Sequence, residues 1–231
     1  MEAKVLTAFQ VSVLTVLFER GIGERGYYFT GGSALAEFYL QHRYSDDLDL
    51  FTRSSRPIRA DYADFKQILA SQNFEILSSN EMDEFVRFFV QSTDERNGSL
   101  KVEFARDAKA QLSPFKRFEQ IIVDSFEDIA VNKICAILGR EPPEPKDFVD
   151  LYFILHESAF NLDYLVERAK QKEAAFDQED GILFFATNLT RVKEFQFLPR
   201  MIKPIALEDL QSFFLPKAEA IIRRLRPTGR Q

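Results

Sequence analysis

Apolar residues Leu6, Phe9, Val13, Val16 and Leu17 recur three and four positions apart, which predicts an amphipathic helix packed on the body of the protein. The turn GIGERG follows, then a short aromatic strand, YYFT, ended by the glycines of GGS. SALAEFYLQ has helix-forming composition, and DLDLFT alternates polar and apolar positions as a half-buried strand does. SSRP breaks the chain, and Pro57 opens a helix that runs to about Ala70. Three strand-like runs come next, FEILSS, EFVRFFVQ and SLKVEFA. The last two are joined by STDERNG, whose Asn97-Gly98 pair is a hairpin turn signal.

Helix, strand, helix, strand, helix and then a meander predict an α/β fold, a mixed β-sheet with flanking helices. From about Ser125 the pattern is almost wholly helical. SFEDIAVNKICAILGR opens on Ser125 as N-cap, with Asp128 three residues later as an imperfect capping box. EPPEPK is a proline-rich stop, and KDFVDLYFILHES, NLDYLVERAKQKEAAF and LEDLQSFFLPKAEAIIRRLR read as further helices. The expected division is an α/β lobe over residues 1–115 and a mainly α-helical C-terminal lobe over 116–231 that completes a cleft, with the boundary inside 106–125.

Composition narrows the function classes. The 231 residues carry 30 Lys and Arg against 36 Asp and Glu, a net charge of −6, so any nucleic-acid contact must rest on a local basic patch. The C-terminal arginines Arg223, Arg224, Arg226 and Arg230 form the best such patch, although most tails of this kind are simply solvated. One cysteine, Cys135, excludes an internal disulfide framework and a multi-cysteine zinc site, and only His42 and His156 stand against a histidine-rich metal centre. Cys135 sits among apolar neighbours in mid-helix and reads as core, and the histidines read as structural or solvated. No run of about 18 apolar residues is present, and Glu2, Gln10 and Ser12 interrupt any signal-peptide core, so a cytoplasmic protein without a membrane partner is expected.

Chemistry concentrates between Tyr28 and Phe51. Strand alternation points Asp47 and Asp49 to one face and Leu48 and Leu50 to the other. Two ionised carboxylates about 4 Å apart repel by about 4 kcal/mol at an effective dielectric near ~20, a cost that a divalent cation between them removes. Oxygen ligands without convergent His or Cys favour Mg2+, with Mn2+ as the alternative. Glu103 shares a face with Lys101 in SLKVEFA. It is either a third carboxylate of a metal site or a solvated acid on a half-exposed sheet. Gly31, Gly32 and Ser33 stand where a strand turns into a helix, a place where backbone N–H groups can cradle a phosphate and Ser33 can act as N-cap or donor. In the helical half, Lys133 and Arg140 lie on one helix edge, where they either reach solvent or hold triphosphate oxygens. Asp147 and Asp150 follow at i and i+3 on the next helix.

The ordered blocks GGSAL, SDDLDLF, DIAVNKICAILGR and KDFVDLY, spread from Tyr28 to Leu155, resemble the AbiEii/AbiGii-type toxin family of nucleotidyltransferases, which has the DNA polymerase β-like fold. The resemblance implies that Gly32 and Ser33 belong to the nucleotide-binding motif and that Asp47 and Asp49 are the metal-binding pair. It also implies that Lys133, with Arg140, forms the basic motif, and that Asp147 is the late catalytic acid, with Asp150 the weaker alternative. It implies a toxin that moves NMP from an NTP to an RNA acceptor, tRNA 3′ ends foremost, and an antitoxin partner. Two alternatives stand beside this reading: nucleotidylation of a protein hydroxyl, and a non-catalytic nucleotide-binding regulatory module.

Overall fold

The computed structural model describes residues 4–72, 74–93 and 98–226. Asn97 of the expected hairpin turn and Arg230 of the C-terminal patch lie outside the described residues. The chain divides into two compact units, one built from the residues up to Ala108 together with Pro114–Ser125, the other from Lys109–Ser113 and the residues from Phe126 onward.

The first unit opens with α1 (Ala8–Glu19). Thr7 caps it by accepting from the Gln10 backbone N–H while the Gln10 side chain accepts from the Thr7 N–H, a reciprocal capping box. Then come β1 (Tyr27–Thr30), the short α2 (Gly31–Leu35) and a π-helical turn over Ala36–Leu40. Glu37 on that turn is buried, and its carboxylate accepts the backbone N–H groups of Lys4, Val5 and Leu6. The strand β2 (Asp47–Thr52) follows as the alternation predicts. Pro57 opens a single 3-10 turn over Ile58–Asp61 before α3 (Tyr62–Ala70) begins. The meander is β3 (Phe74–Met82), β4 (Phe85–Ser92) and β5 (Leu100–Arg106). Two three-residue strands, β6 (Lys116–Phe118) and β7 (Ile121–Val123), return to the same sheet, so the sheet unit continues past residue 115. Strands this short carry too few residues for a detectable period.

The seven strands stand in the order β3-β4-β5-β2-β1-β7-β6. The β1–β2 pair is antiparallel, whereas β2–β5 and β1–β7 are parallel, which makes the sheet mixed. One face is core: Tyr27, Phe29, Leu48, Leu50, Val102 and Phe104 are buried, and Phe65 of α3 stacks on Phe104 with ring centroids 3.8 Å apart. Each such side chain contributes about 1.5–3 kcal/mol when fully buried, so this face sets the register of β2.

The second unit is helical: α4 (Phe126–Gly139), α5 (Pro145–Glu157), α6 (Leu162–Ala169), α7 (Glu179–Thr190) and α8 (Leu207–Leu225). Pro145 occupies the first turn of α5, where its missing N–H costs nothing. Phe148 meets Phe195 and Phe214 edge-on at 4.9 and 5.4 Å, and buried Asn188 donates to the Ile137 and Leu138 carbonyls at the end of α4. Asp128 accepts the N–H groups of Leu112 and Ser113 and pairs at 2.7 Å with Lys172, both side chains fully buried. That clamp explains why residues 109–113 belong to this unit. Among the described residues no helix is long and apolar enough to cross a membrane.

Candidate functional site

In the sheet unit, β2 leaves Leu48 and Leu50 at zero exposure and sets Asp47 and Asp49 on the opposite, half-exposed face. Register places Thr30 of β1 beside Asp49 on one side and Glu103 of β5 on the other, with Lys101 beside Asp47. The Lys101 Nζ lies 2.9 Å from Asp47 Oδ2 and 3.1 Å from Glu103 Oε2, and Arg87 of β4 donates from Nε to Glu103 Oε1 at 2.6 Å. Glu103 therefore lies beside Asp49, and its two oxygens face Lys101 and Arg87. Among the described residues no three His, Cys, Asp or Glu side chains converge on a point that could hold a metal ion. An aspartate pair of oxygen donors still fits Mg2+, which is commonly bound by one or two carboxylates plus waters and substrate phosphates rather than by a full protein cage.

The GGS turn is built against this pair. Gly31 has φ +76°, and a Cβ there would run into the Asp49 carboxylate; a Cβ on Gly32 would run into the Arg43 guanidinium. Gly31 is required by backbone conformation as well as by close approach, whereas at Gly32 only the approach of the Arg43 side chain argues for glycine. Ser33 is buried inside α2, and its hydroxyl donates to the Asp47 carbonyl, tying the turn to the start of β2; the N-cap position is Thr30. Thr30 in turn donates from Oγ1 to Asp124 Oδ2 at 2.8 Å. Gly31→Ala is expected to cost about 1–3 kcal/mol from backbone strain alone, read as a lowered urea midpoint, and to displace Asp49.

Burial by itself would raise the Glu103 carboxyl, but its hydrogen bonds to Lys101 and Arg87 and their charges outweigh burial and hold it below the ordinary carboxylate range. Lys101 shows the converse: burial lowers it, and Asp47 and Glu103 more than restore it, so it stays charged. A carboxylate depressed in the folded state stabilises the fold above its unfolded pKa of about 4.3, and that contribution is lost as pH falls through the folded value. Urea denaturation is expected to show wild type more stable than Glu103→Gln at about pH 6, with the difference closing towards about pH 3.

In the helical unit, Lys133 of α4 is almost completely buried and pairs with Asp147 Oδ1 at 2.8 Å and Asp150 Oδ2 at 2.7 Å. Arg140 pairs with the other Asp147 oxygen and, at 3.2 Å, with Glu144. The i, i+3 spacing on α5 places both aspartates over the one lysine. Lys133, Arg140, Asp147 and Asp150 thus form a single ion network within this unit.

The remaining candidates fall elsewhere. Cys135 is buried, which pushes its thiol up, and His42 is buried too. His156 is exposed and stacks on Tyr152 at 3.9 Å. Arg223 and Arg224 end α8, where Arg224 reaches Asp163 at 3.4 Å. The sequence reading missed Arg43, Arg87 and Asp124. Arg87 occupies the same open face by β4 alternation and could have been found that way, whereas Arg43 and Asp124 lie outside any periodic run.

Comparison with known proteins places this architecture. The model of the nucleotidyl transferase AbiEii toxin family, type IV toxin–antitoxin system, matches residues 14–225. An uncharacterized protein of Aquifex aeolicus is 31% identical over 156 residues, spanning 65% of this chain and 68% of its own. The crystal structure of a candidate nucleotidyltransferase from Helicobacter pylori superposes with a TM-score of 0.58 at 20% identity, covering 98% of this chain and 100% of that one. MenT4, a nucleotidyltransferase toxin from Mycobacterium tuberculosis, superposes with a TM-score of 0.54 at 16% identity, covering 93% and 81%. At such identities the two structures speak for the fold, and the family match over most of the chain carries the rest. The chain belongs to the AbiEii family of nucleotidyltransferase toxins of type IV toxin–antitoxin systems.

Proposed function

We propose that this nucleotidyltransferase moves NMP from an NTP to an RNA acceptor, the 3′ end of tRNA foremost, as the toxin whose activity an antitoxin partner restrains. The observation that carries the reading is the aspartate pair set against a turn whose glycines leave room only for Asp49 and Arg43. Asp47 and Asp49 would hold Mg2+, with Mn2+ as a substitute; such an ion would supply positive charge against the pair and against the charge developing at the α-phosphate and the departing pyrophosphate. Glu103, engaged by Lys101 and Arg87, would have to break both ion pairs to become a third ligand; we assign it to holding Lys101. The backbone N–H groups at Gly31 and Gly32 donate to phosphate oxygens, and Ser33 keeps the turn in register with β2.

In the helical unit, Lys133 and Arg140 are the cations for a triphosphate and Asp147 the acid that would take the proton of the incoming hydroxyl, each once released from the ion network they share. Asp150 keeps Lys133 in place through the 2.7 Å ion pair. An RNA acceptor suits a chain with net charge −6 only through local cations, of which Arg223, Arg224 and Arg226 are exposed.

Incubation with each α-32P-labelled NTP, Mg2+, total tRNA and a protein extract tests the acceptor class. Label that RNase removes and protease spares is the expected outcome. Label that survives RNase and is lost to protease would replace RNA with a protein hydroxyl. NTP binding without pyrophosphate release in the full mixture would reduce the site to a nucleotide-binding module.

A further inference from the structure

Four charges alternate in sign across three neighbouring strands: Asp47 on β2, Lys101 and Glu103 on β5, and Arg87 on β4. The outer end of this row is anchored, because Arg87 makes two contacts to Glu103 Oε1 and lies over the Phe85 ring at 4.9 Å. The inner end is looser. The Glu103 side chain is 13% exposed and Asp47 34%, so the Lys101 ammonium has a dry partner and a wet one. A wet ion pair is the more readily exchanged, since water replaces what the pair loses. Lys101 also removes the repulsion that two neighbouring carboxylates would otherwise suffer.

We propose that Lys101 is the built-in counter-ion of Asp47, displaced from it when a divalent cation binds at the aspartate pair and retained at the edge of the site by Glu103, which Arg87 anchors. The inference rests on the assignment of Asp47 and Asp49 as metal ligands. It makes metal binding an exchange of cations rather than a simple capture, so the nucleotide-free protein binds divalent ions weakly. A metal that arrives with a nucleotide brings phosphate oxygens for which the released ammonium is a partner.

The test follows Mn2+ binding to the full chain without nucleotide, using the electron paramagnetic resonance signal of the free aquo ion. Lys101→Met and Lys101→Gln, each shown to be folded by urea denaturation, are expected to bind Mn2+ about tenfold more tightly than wild type. Affinity equal to or weaker than wild type in both variants would overturn the proposal while leaving the metal assignment in place. Asp47→Asn is expected to lose the binding; retained binding there would remove the metal assignment and the counter-ion with it. In the unaltered chain, saturating Mn2+ is expected to increase acylation of Lys101 by acetic anhydride, read by mass spectrometry. No increase would contradict displacement.

Discussion

Lys133→Met is expected to destabilise the helical unit by about 3–5 kcal/mol, the usual loss when one member of a buried ion pair is removed. The ammonium stands between two carboxylates at 2.8 and 2.7 Å, and the aspartate side chains are 2% and 0% exposed. Methionine fills most of the volume but takes the charge away, leaving Asp150 buried without the cation it faces and Asp147 to Arg140 alone of the two cations described for it. Urea denaturation at about pH 7 reads the loss as a lowered midpoint. A variant within about 0.5 kcal/mol of wild type at neutral pH would show that the network is not the keystone of α4 and α5 packing. Lys133→Met/Asp150→Asn should recover part of the loss, because the uncompensated charge goes with the second substitution.

The parts of the fold and site that were legible in the sequence are those with a period. DLDLFT and SLKVEFA each place their acids on one face by simple alternation, and the structure sets β2 and β5 side by side with Asp49 opposite Glu103. Lys133, Arg140, Asp147 and Asp150 were readable for the same reason at helical spacing, although only the structure shows them sharing one ion network. Contacts between elements left no such trace. Nothing in SALAEFYLQ announces that Glu37 binds the backbone at Lys4, Val5 and Leu6, or that the helix widens into a π turn there. Lys101 was visible as a neighbour of Glu103 on the strand face, but its partnership with Asp47 depends on the parallel β2–β5 pairing, which no local pattern encodes. The strands β6 and β7 escaped because three residues cannot display alternation, although the sheet runs on to Val123.

Replacing the aspartate pair separates stability from activity. Asp47 and Asp49 are half-exposed, and the Asp47 ion pair with Lys101 is a wet one, so Asp47→Ala/Asp49→Ala is expected to change stability by about 1 kcal/mol or less. Removal of both ligands takes away the charge stabilisation on which transfer depends and is expected to lower the transfer rate by about a hundredfold or more. A side chain that merely shapes the sheet would show the opposite signature, a loss of stability with activity scaling to the folded fraction.

The most direct test of the central claim is nucleotide incorporation from each α-32P-labelled NTP in Mg2+, wild type against Asp47→Ala/Asp49→Ala, with circular dichroism confirming equal folding. Label is expected for wild type and background for the folded double variant. Equal incorporation by the two proteins would contradict that claim and place the chemistry away from the aspartate pair.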